Sequence, residues 1–146
     1  MSGRNIAGLL AVLLLAPVVP VEGQTARVVL DALPDSRVAA NQDFAEREIL
    51  NRSARDDNRI TVVWDGEAYR WATRENRELI YRGGGLFGAH HAFVDPEGGG
   101  WIKVTDQRDF PELLRLDDGP NIQFYESAST GLTVLTYWGS ASEFDP

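Results

Sequence analysis

The feature that most limits the fold is an alternation of apolar and polar side chains, which begins near residue 59. Ile60 and Val62 fall on one side of this alternation, and Tyr69 and Trp71 resume it after Asp65-Gly66. A period of two is typical of a β-strand with one buried face. Asp-Gly between two such runs is typical of a two-residue hairpin turn. We therefore predict a hairpin in which Val62 lies opposite Tyr69 and Ile60 opposite Trp71.

More short strands are predicted on either side of this hairpin, separated by residues that favour turns. Their expected ranges are 27–30, 78–82, 89–95, 101–105, 121–126 and 132–138. Short connections favour antiparallel pairing of consecutive strands. Residues 33–35 are expected to form a turn, residues 109–116 a short helix, and the polar tail from residue 139 is expected to be loose.

One longer helix is predicted over residues 41–55. Asn41 suits the N-cap position, and Phe44, Ala45 and Ile49 form a narrow apolar stripe. The predicted fold class is α+β, with this amphipathic helix followed by a mostly antiparallel, curved meander sheet of about six strands. A small closed β-barrel is the alternative.

The N-terminus has the three-part pattern of a secretory signal peptide, predicted over residues 1–23. Arg4 supplies the positive charge, residues 6–21 carry no charge, and Val21 and Gly23 precede an expected cut before Gln24. The mature part, residues 24–146, is then a single α+β domain that is exported to the periplasm or the medium. The uncharged run is short for a membrane span, so no integral membrane segment is expected after processing.

Composition narrows the choice of partners. The chain has no cysteine and a net charge of −8, and a cysteine-free exported domain fits a bacterial envelope better than a disulfide-bonded secreted module. An acidic protein repels nucleic acid, so no nucleic-acid partner is expected. The expected partner is a protein or a small ligand, with no cofactor.

His90 and His91 are the only histidines. Neighbouring residues on a strand point to opposite faces, so the two cannot share one metal ion, and no metal site is predicted. Either histidine, together with Arg82 and a carboxylate, is a candidate for a hydrolytic site. Arg82, Arg70 and Lys103 lie on predicted strands, where they could hold an anionic ester.

Leu86 and Phe87 lie within a glycine-rich stretch, residues 83–88, and are candidates for a partner contact at a loop tip. Trp138 is the tryptophan most expected to be exposed, and it is a third candidate binding residue. The chain contains no Gly-x-Ser-x-Gly motif and no cysteine nucleophile, and its residues match no family motif. The favoured prediction is a non-enzymatic binding or accessory module, and the alternative is a small hydrolase.

Overall fold

The structure is a computed structural model in which residues 26–85, 88–115 and 120–146 are described. The predicted signal peptide and the pair Leu86 and Phe87 lie outside these residues. The strands and the helix are β1 Arg27–Ala40, β2 Ala45–Ile49, α1 Arg52–Asp57, β3 Ile60–Trp64, β4 Tyr69–Trp71, β5 Arg77–Gly84, β6 His90–Val94, β7 Gly100–Asp106, β8 Ile122–Thr130 and β9 Thr133–Phe144.

The sheet is an antiparallel meander that closes on itself. From β3 to β9 each strand pairs with the next, and β3 and β9 both pair with β1. The closing seam runs from Leu30 opposite Phe144 to Ala40 opposite Val134. Eight strands, β1 and β3 to β9, therefore form a barrel. The predicted antiparallel sheet and the closed-barrel alternative are confirmed, and the main prediction of a helix followed by a curved meander sheet of about six strands is wrong.

The core follows from the alternation along the strands. Inward-facing side chains from successive strands fill the barrel, and they include Val62, Trp71, Phe93, Ile102 and Phe124, each no more than 1% exposed. Fully burying a side chain of this type stabilises a fold by about 1.5–3 kcal/mol. The inward faces of the eight barrel strands therefore contribute to one continuous core.

The predicted hairpin exists, but its register differs from the predicted one by two residues. Trp64 pairs with Tyr69 and Val62 with Trp71, so the loop has four residues. Asp65 explains the longer loop, because its Oδ1 accepts the backbone N–H groups of residues 67 and 68, both at 2.8 Å. A shift of two residues preserves the period, so Val62 and Trp71 still face the core as expected.

The predicted helix over residues 41–55 is wrong. Asn41 Oδ1 accepts from the backbone N–H of Asp43 at 2.8 Å and of Phe44 at 3.1 Å, which makes a turn rather than a helix cap. The chain then returns as β2 along the second half of β1. The helix starts later, where Asn51 caps α1 by accepting the Ala54 N–H at 2.9 Å. Pairing with β1 has outweighed a weak helical pattern.

Three further predictions are corrected. Pro34 does not end the first strand, because β1 continues to Ala40 with a register shift between Pro34 and Ser36. Residues 107–109 and 112–114 form two short 3₁₀ turns in place of the predicted helix over residues 109–116. The tail is not loose, since β9 extends to Phe144 and pairs with β1.

Candidate functional site

Antiparallel order brings the β4–β5, β6–β7 and β8–β9 turns to one end of the barrel. There they surround a cleft of about 560 Å³ lined by residues from segments 71–77, 97–99 and 128–130. We call this the Arg74 cleft. Ligand sites in barrels of this size usually lie at such a mouth, and clefts of about 300–1,000 Å³ are typical of small-molecule sites.

A buried ion pair lies at the base of the Arg74 cleft. The Glu126 side chain is 0% exposed, and its Oε1 accepts from Arg74 Nη2 at 2.6 Å. Its Oε2 accepts from Trp71 Nε1 at 2.8 Å. Burial raises the pKa of Glu126, and the guanidinium and the indole N–H only partly offset that effect. The carboxylate thus fixes both Trp71 and Arg74 at the mouth.

Arg74 joins this buried network to the surface. Its side chain is 31% exposed, and its guanidinium carbon lies 5.5 Å from the centroid of the Tyr137 ring. Burial opposes the charge of Arg74, but its contacts with Glu126 and Tyr137 raise its pKa. Its Nε–H is buried with no hydrogen-bond partner among the described residues. A buried donor of this kind calls for an explanation, and a ligand or water at the mouth is one.

A second buried carboxylate supports the opposite wall of the cleft. Asp95 Oδ2 accepts from Arg77 and from the backbone N–H of Gly99 at 3.0 Å, and Oδ1 accepts from the N–H of Glu97 at 2.8 Å. Burial opposes ionisation of Asp95, but these donors outweigh it and lower its pKa. An added Cβ at Gly99 would collide with the Arg77 guanidinium and the Asp95 carboxylate, so any larger residue there would displace this ion pair.

The β4–β5 turn at the rim has an uncommon backbone. Glu75 and Asn76 have φ angles of 56° and 57°, and the Arg77 N–H donates to the Arg74 carbonyl at 3.2 Å. Positive φ is uncommon outside glycine, and Glu is not among the residues enriched there. Such conformations cluster at functional sites, where the surrounding structure holds them in place. Here the turn presents Glu75 at the rim of the cleft.

His90 and His91 point to opposite faces, as predicted. The inward His91 has Nδ1 2.6 Å from the Tyr81 hydroxyl, and its Nε2 is buried with no hydrogen-bond partner among the described residues. Asp109 Oδ2 lies 3.9 Å from Nε2, beyond hydrogen-bond distance. Burial lowers the pKa of His91, and the Asp109 charge only partly opposes this. Within the described part of the chain, His91 therefore has no carboxylate at hydrogen-bond distance.

The outward His90 lies near Arg82, the third catalytic candidate. The His90 Nδ1 is 3.3 Å from the Thr105 hydroxyl. His90 and Arg82 line a groove on the outside of the barrel together with Lys103. Arg70, in contrast, donates to Asp65 at 2.8 Å and lies elsewhere. The structure therefore brings Arg82 and His90 together on the outer face, and His91 lines part of the same groove although its Nδ1 contacts Tyr81.

Among the predicted binding residues only Trp138 is described. It is 39% exposed and pairs with Tyr125 in the β8–β9 register, on the outside of the barrel. Among the described residues, no group of three or more His, Cys, Asp and Glu side chains is placed to hold a metal ion. In the same part of the chain, no helix has the length and apolarity that crossing a membrane requires.

The sequence interpretation missed the Arg74 cleft. A signal for it was present, because Glu126 lies two residues from Phe124 and two from Ala128, both in the inward row of β8. An acidic residue in an apolar row indicates a buried carboxylate, which requires a partner. The partner itself could not be identified, since Arg74 lies 52 residues away.

Comparison of the chain with protein-family models, with curated protein sequences and with solved structures gives no match.

Proposed function

We propose that the protein is a binding module of a bacterial envelope, and that the Arg74 cleft holds a small polar ligand. The observation that carries this proposal is the guanidinium of Arg74, held at the mouth of the cleft by the fully buried Glu126. A polar group fixed in advance loses little entropy when it binds a ligand, so it supports affinity. A cleft that served only to close the barrel would not need a buried charge, which is costly to desolvate.

The side chains around the cleft indicate the chemistry of the ligand. The charges of Arg74 and Arg77 are balanced by Glu126 and Asp95, which leaves the rim carboxylates of residues 75 and 97 in excess. This excess disfavours an anion. Hydroxyl groups at residues 73, 129 and 130 add both donors and acceptors. An uncharged ligand rich in hydroxyl groups, such as a sugar, makes use of both kinds of group.

The test is a titration with neutral mono- and disaccharides, followed by the fluorescence of the tryptophans, of which Trp71 lies at the base of the cleft. Glucosamine, which carries a positive charge, is the comparison ligand. Thr130→Trp places a large ring at the exposed rim, and Gln123→Trp places the same ring on the outer face of the same strand. We expect Thr130→Trp to weaken binding by about tenfold or more, and Gln123→Trp to change it by less than about twofold.

The outcomes separate the possibilities. If glucosamine alone binds, the proposed ligand class changes from neutral to cationic, because the rim carboxylates would then determine what binds. Equal binding by the two tryptophan variants would move the site out of the Arg74 cleft. The absence of binding by any of these sugars would overturn the assignment of ligand chemistry.

Export is a separate part of the proposal, supported by the uncharged run over residues 6–21. Mass spectrometry of protein recovered from the periplasm or medium of an expressing bacterium should give an N-terminus near Gln24. Soluble exported protein that still begins at Met1 would contradict it.

A further inference from the structure

A groove of about 340 Å³ lies on the outside of the barrel, across β5, β6 and β7. Arg82 pairs with Ala92, and Ala92 pairs with Lys103, so the three residues form one row across adjacent strands. Strands lie about 4.8 Å apart, which separates the backbones of Arg82 and Lys103 by about 10 Å. The small Ala92 side chain between them leaves the floor of the groove open to a ligand.

Among the described residues, the two cations of this groove lack the carboxylate partners that most arginines have. In the described residues, most arginines form an ion pair with a carboxylate, although Arg82 and Lys103 do not. None of the described residues that line the groove is acidic. Acidic side chains outnumber basic ones in the chain by 22 to 14, so an uncompensated pair of cations marks a local reversal of charge.

Several contacts hold the groove in shape. Lys103 Nζ lies 4.6 Å from the centroid of the Trp101 ring and 6.0 Å from that of Tyr125. These cation–π contacts orient the ammonium group without neutralising it. In the next row, His90 pairs with Thr105, and its Nδ1 lies near the Thr105 hydroxyl. The imidazole thus supplies a third polar group beside the two cations.

We propose that this groove, formed by Arg82, Ala92, Lys103 and His90, is a binding site for a phosphomonoester. A phosphomonoester carries close to two negative charges at neutral pH and three acceptor oxygens, which match two cations and one imidazole. Arginine can bind two of the oxygens at once, and lysine contributes a point charge. The site is on the outer surface and is independent of the Arg74 cleft, so it goes beyond the function proposed above.

The net charge of the protein favours a free ligand over a membrane. An anionic bilayer would bring its negative potential against the whole acidic surface, whereas a small phosphomonoester meets only the groove. The test therefore uses two probes with the same headgroup chemistry. One is glycerol 3-phosphate, with glycerol as its control, and the other is phosphatidylcholine vesicles that contain phosphatidic acid.

Binding of glycerol 3-phosphate is followed by NMR through the backbone amide shifts of β6 and β7, with the intact protein. We expect saturation with a Kd of about 1 mM and no response to glycerol. Arg82→Gln with Lys103→Gln should weaken binding by at least about tenfold. Arg47→Gln with Arg52→Gln is the matched control, because it removes two exposed arginines elsewhere and changes the net charge equally.

A loss of affinity confined to the groove variant supports the site. Equal loss in the control variant would show that overall charge, rather than the groove, attracts the anion, and would overturn the proposal. Binding of the vesicles alone, again lost only in the groove variant, would assign the same site to a lipid headgroup. The absence of binding to either probe would refute it, and Arg82→Gln alone replaces the double variant if that variant does not fold.

Discussion

Removal of the Arg74 guanidinium tests the energetics of the barrel mouth most directly. In Arg74→Met an aliphatic chain remains but the guanidinium is lost, and Glu126 keeps Trp71 Nε1 as its one remaining donor in the described network. Breaking a buried ion pair by removing one partner costs about 3–5 kcal/mol. Arg74 is partly exposed at the mouth, so water can partly solvate the carboxylate. We therefore expect the free energy of unfolding to fall by an amount near the lower limit of this range, about 3 kcal/mol.

A second substitution shows whether the loss of stability comes from the Glu126 carboxylate, which is left without its arginine partner. In Arg74→Met with Glu126→Gln the amide oxygen can still accept from Trp71, and no charge is buried. We expect this double variant to recover to within about 1 kcal/mol of the wild type. Urea unfolding at pH 7, followed by tryptophan fluorescence, gives the free energy of unfolding of each variant.

The same reasoning predicts a pH dependence with a definite sign. Burial already raises the pKa of Glu126, and loss of Arg74 raises it further. The folded Arg74→Met variant then holds a proton that its unfolded chain releases. The free energy of unfolding of Arg74→Met therefore lies closest to that of the wild type below the unfolded pKa of Glu126. The difference between the two proteins grows as pH rises through the raised folded pKa of Glu126. A deficit that is constant between pH 4 and pH 7, or a double variant no more stable than Arg74→Met, would refute the argument.

Two further predictions concern the β3–β4 loop. Gly66 has a φ of 100°, so Gly66→Val should destabilise the fold by about 1–3 kcal/mol in thermal or urea unfolding, whereas the exposed Glu67→Val should not. The Arg70 side chain and the N–H groups of Ala68 and Glu67 lower the pKa of Asp65 to about 2. The stability that Asp65 contributes is present above its unfolded pKa and is lost as pH falls through about 2. Carbon NMR of the carboxyl should show this pKa, and Arg70→Gln should raise it towards the ordinary value.

The period of two predicted which residues face the core, but not the register of the hairpin. Val62 and Trp71 face inward as the alternation requires. The loop length depended on whether the Asp65 carboxylate would accept backbone N–H groups, and Asp-Gly is compatible with a two-residue and with a four-residue loop. Because both loops preserve the same inward face, the alternation alone cannot distinguish them.

Barrel closure and the Arg74 cleft depend on pairs of residues that lie far apart in the chain. Leu30 meets Phe144 across the seam, and Arg74 meets Glu126 at the mouth. Sheet curvature decides whether a last strand reaches the first, and local patterns contain little information about curvature. Residues 41–55 show the same effect, because their moderate helical pattern was overridden by pairing with β1.

A substitution near the C-terminus tests whether the last residues form a loose tail or close the barrel. Phe144 is 5% exposed, and its ring centroid lies 4.8 Å from that of His91 and 6.4 Å from that of Phe93. Removing a buried phenylalanine ring costs about 3–5 kcal/mol, so Phe144→Ala should lower the free energy of unfolding by that amount. Glu143→Ala, the exposed neighbouring position of the same strand, is the control and should have a small effect. If Phe144→Ala unfolds at the same urea concentration as the wild type, the end of β9 does not close the barrel against β1.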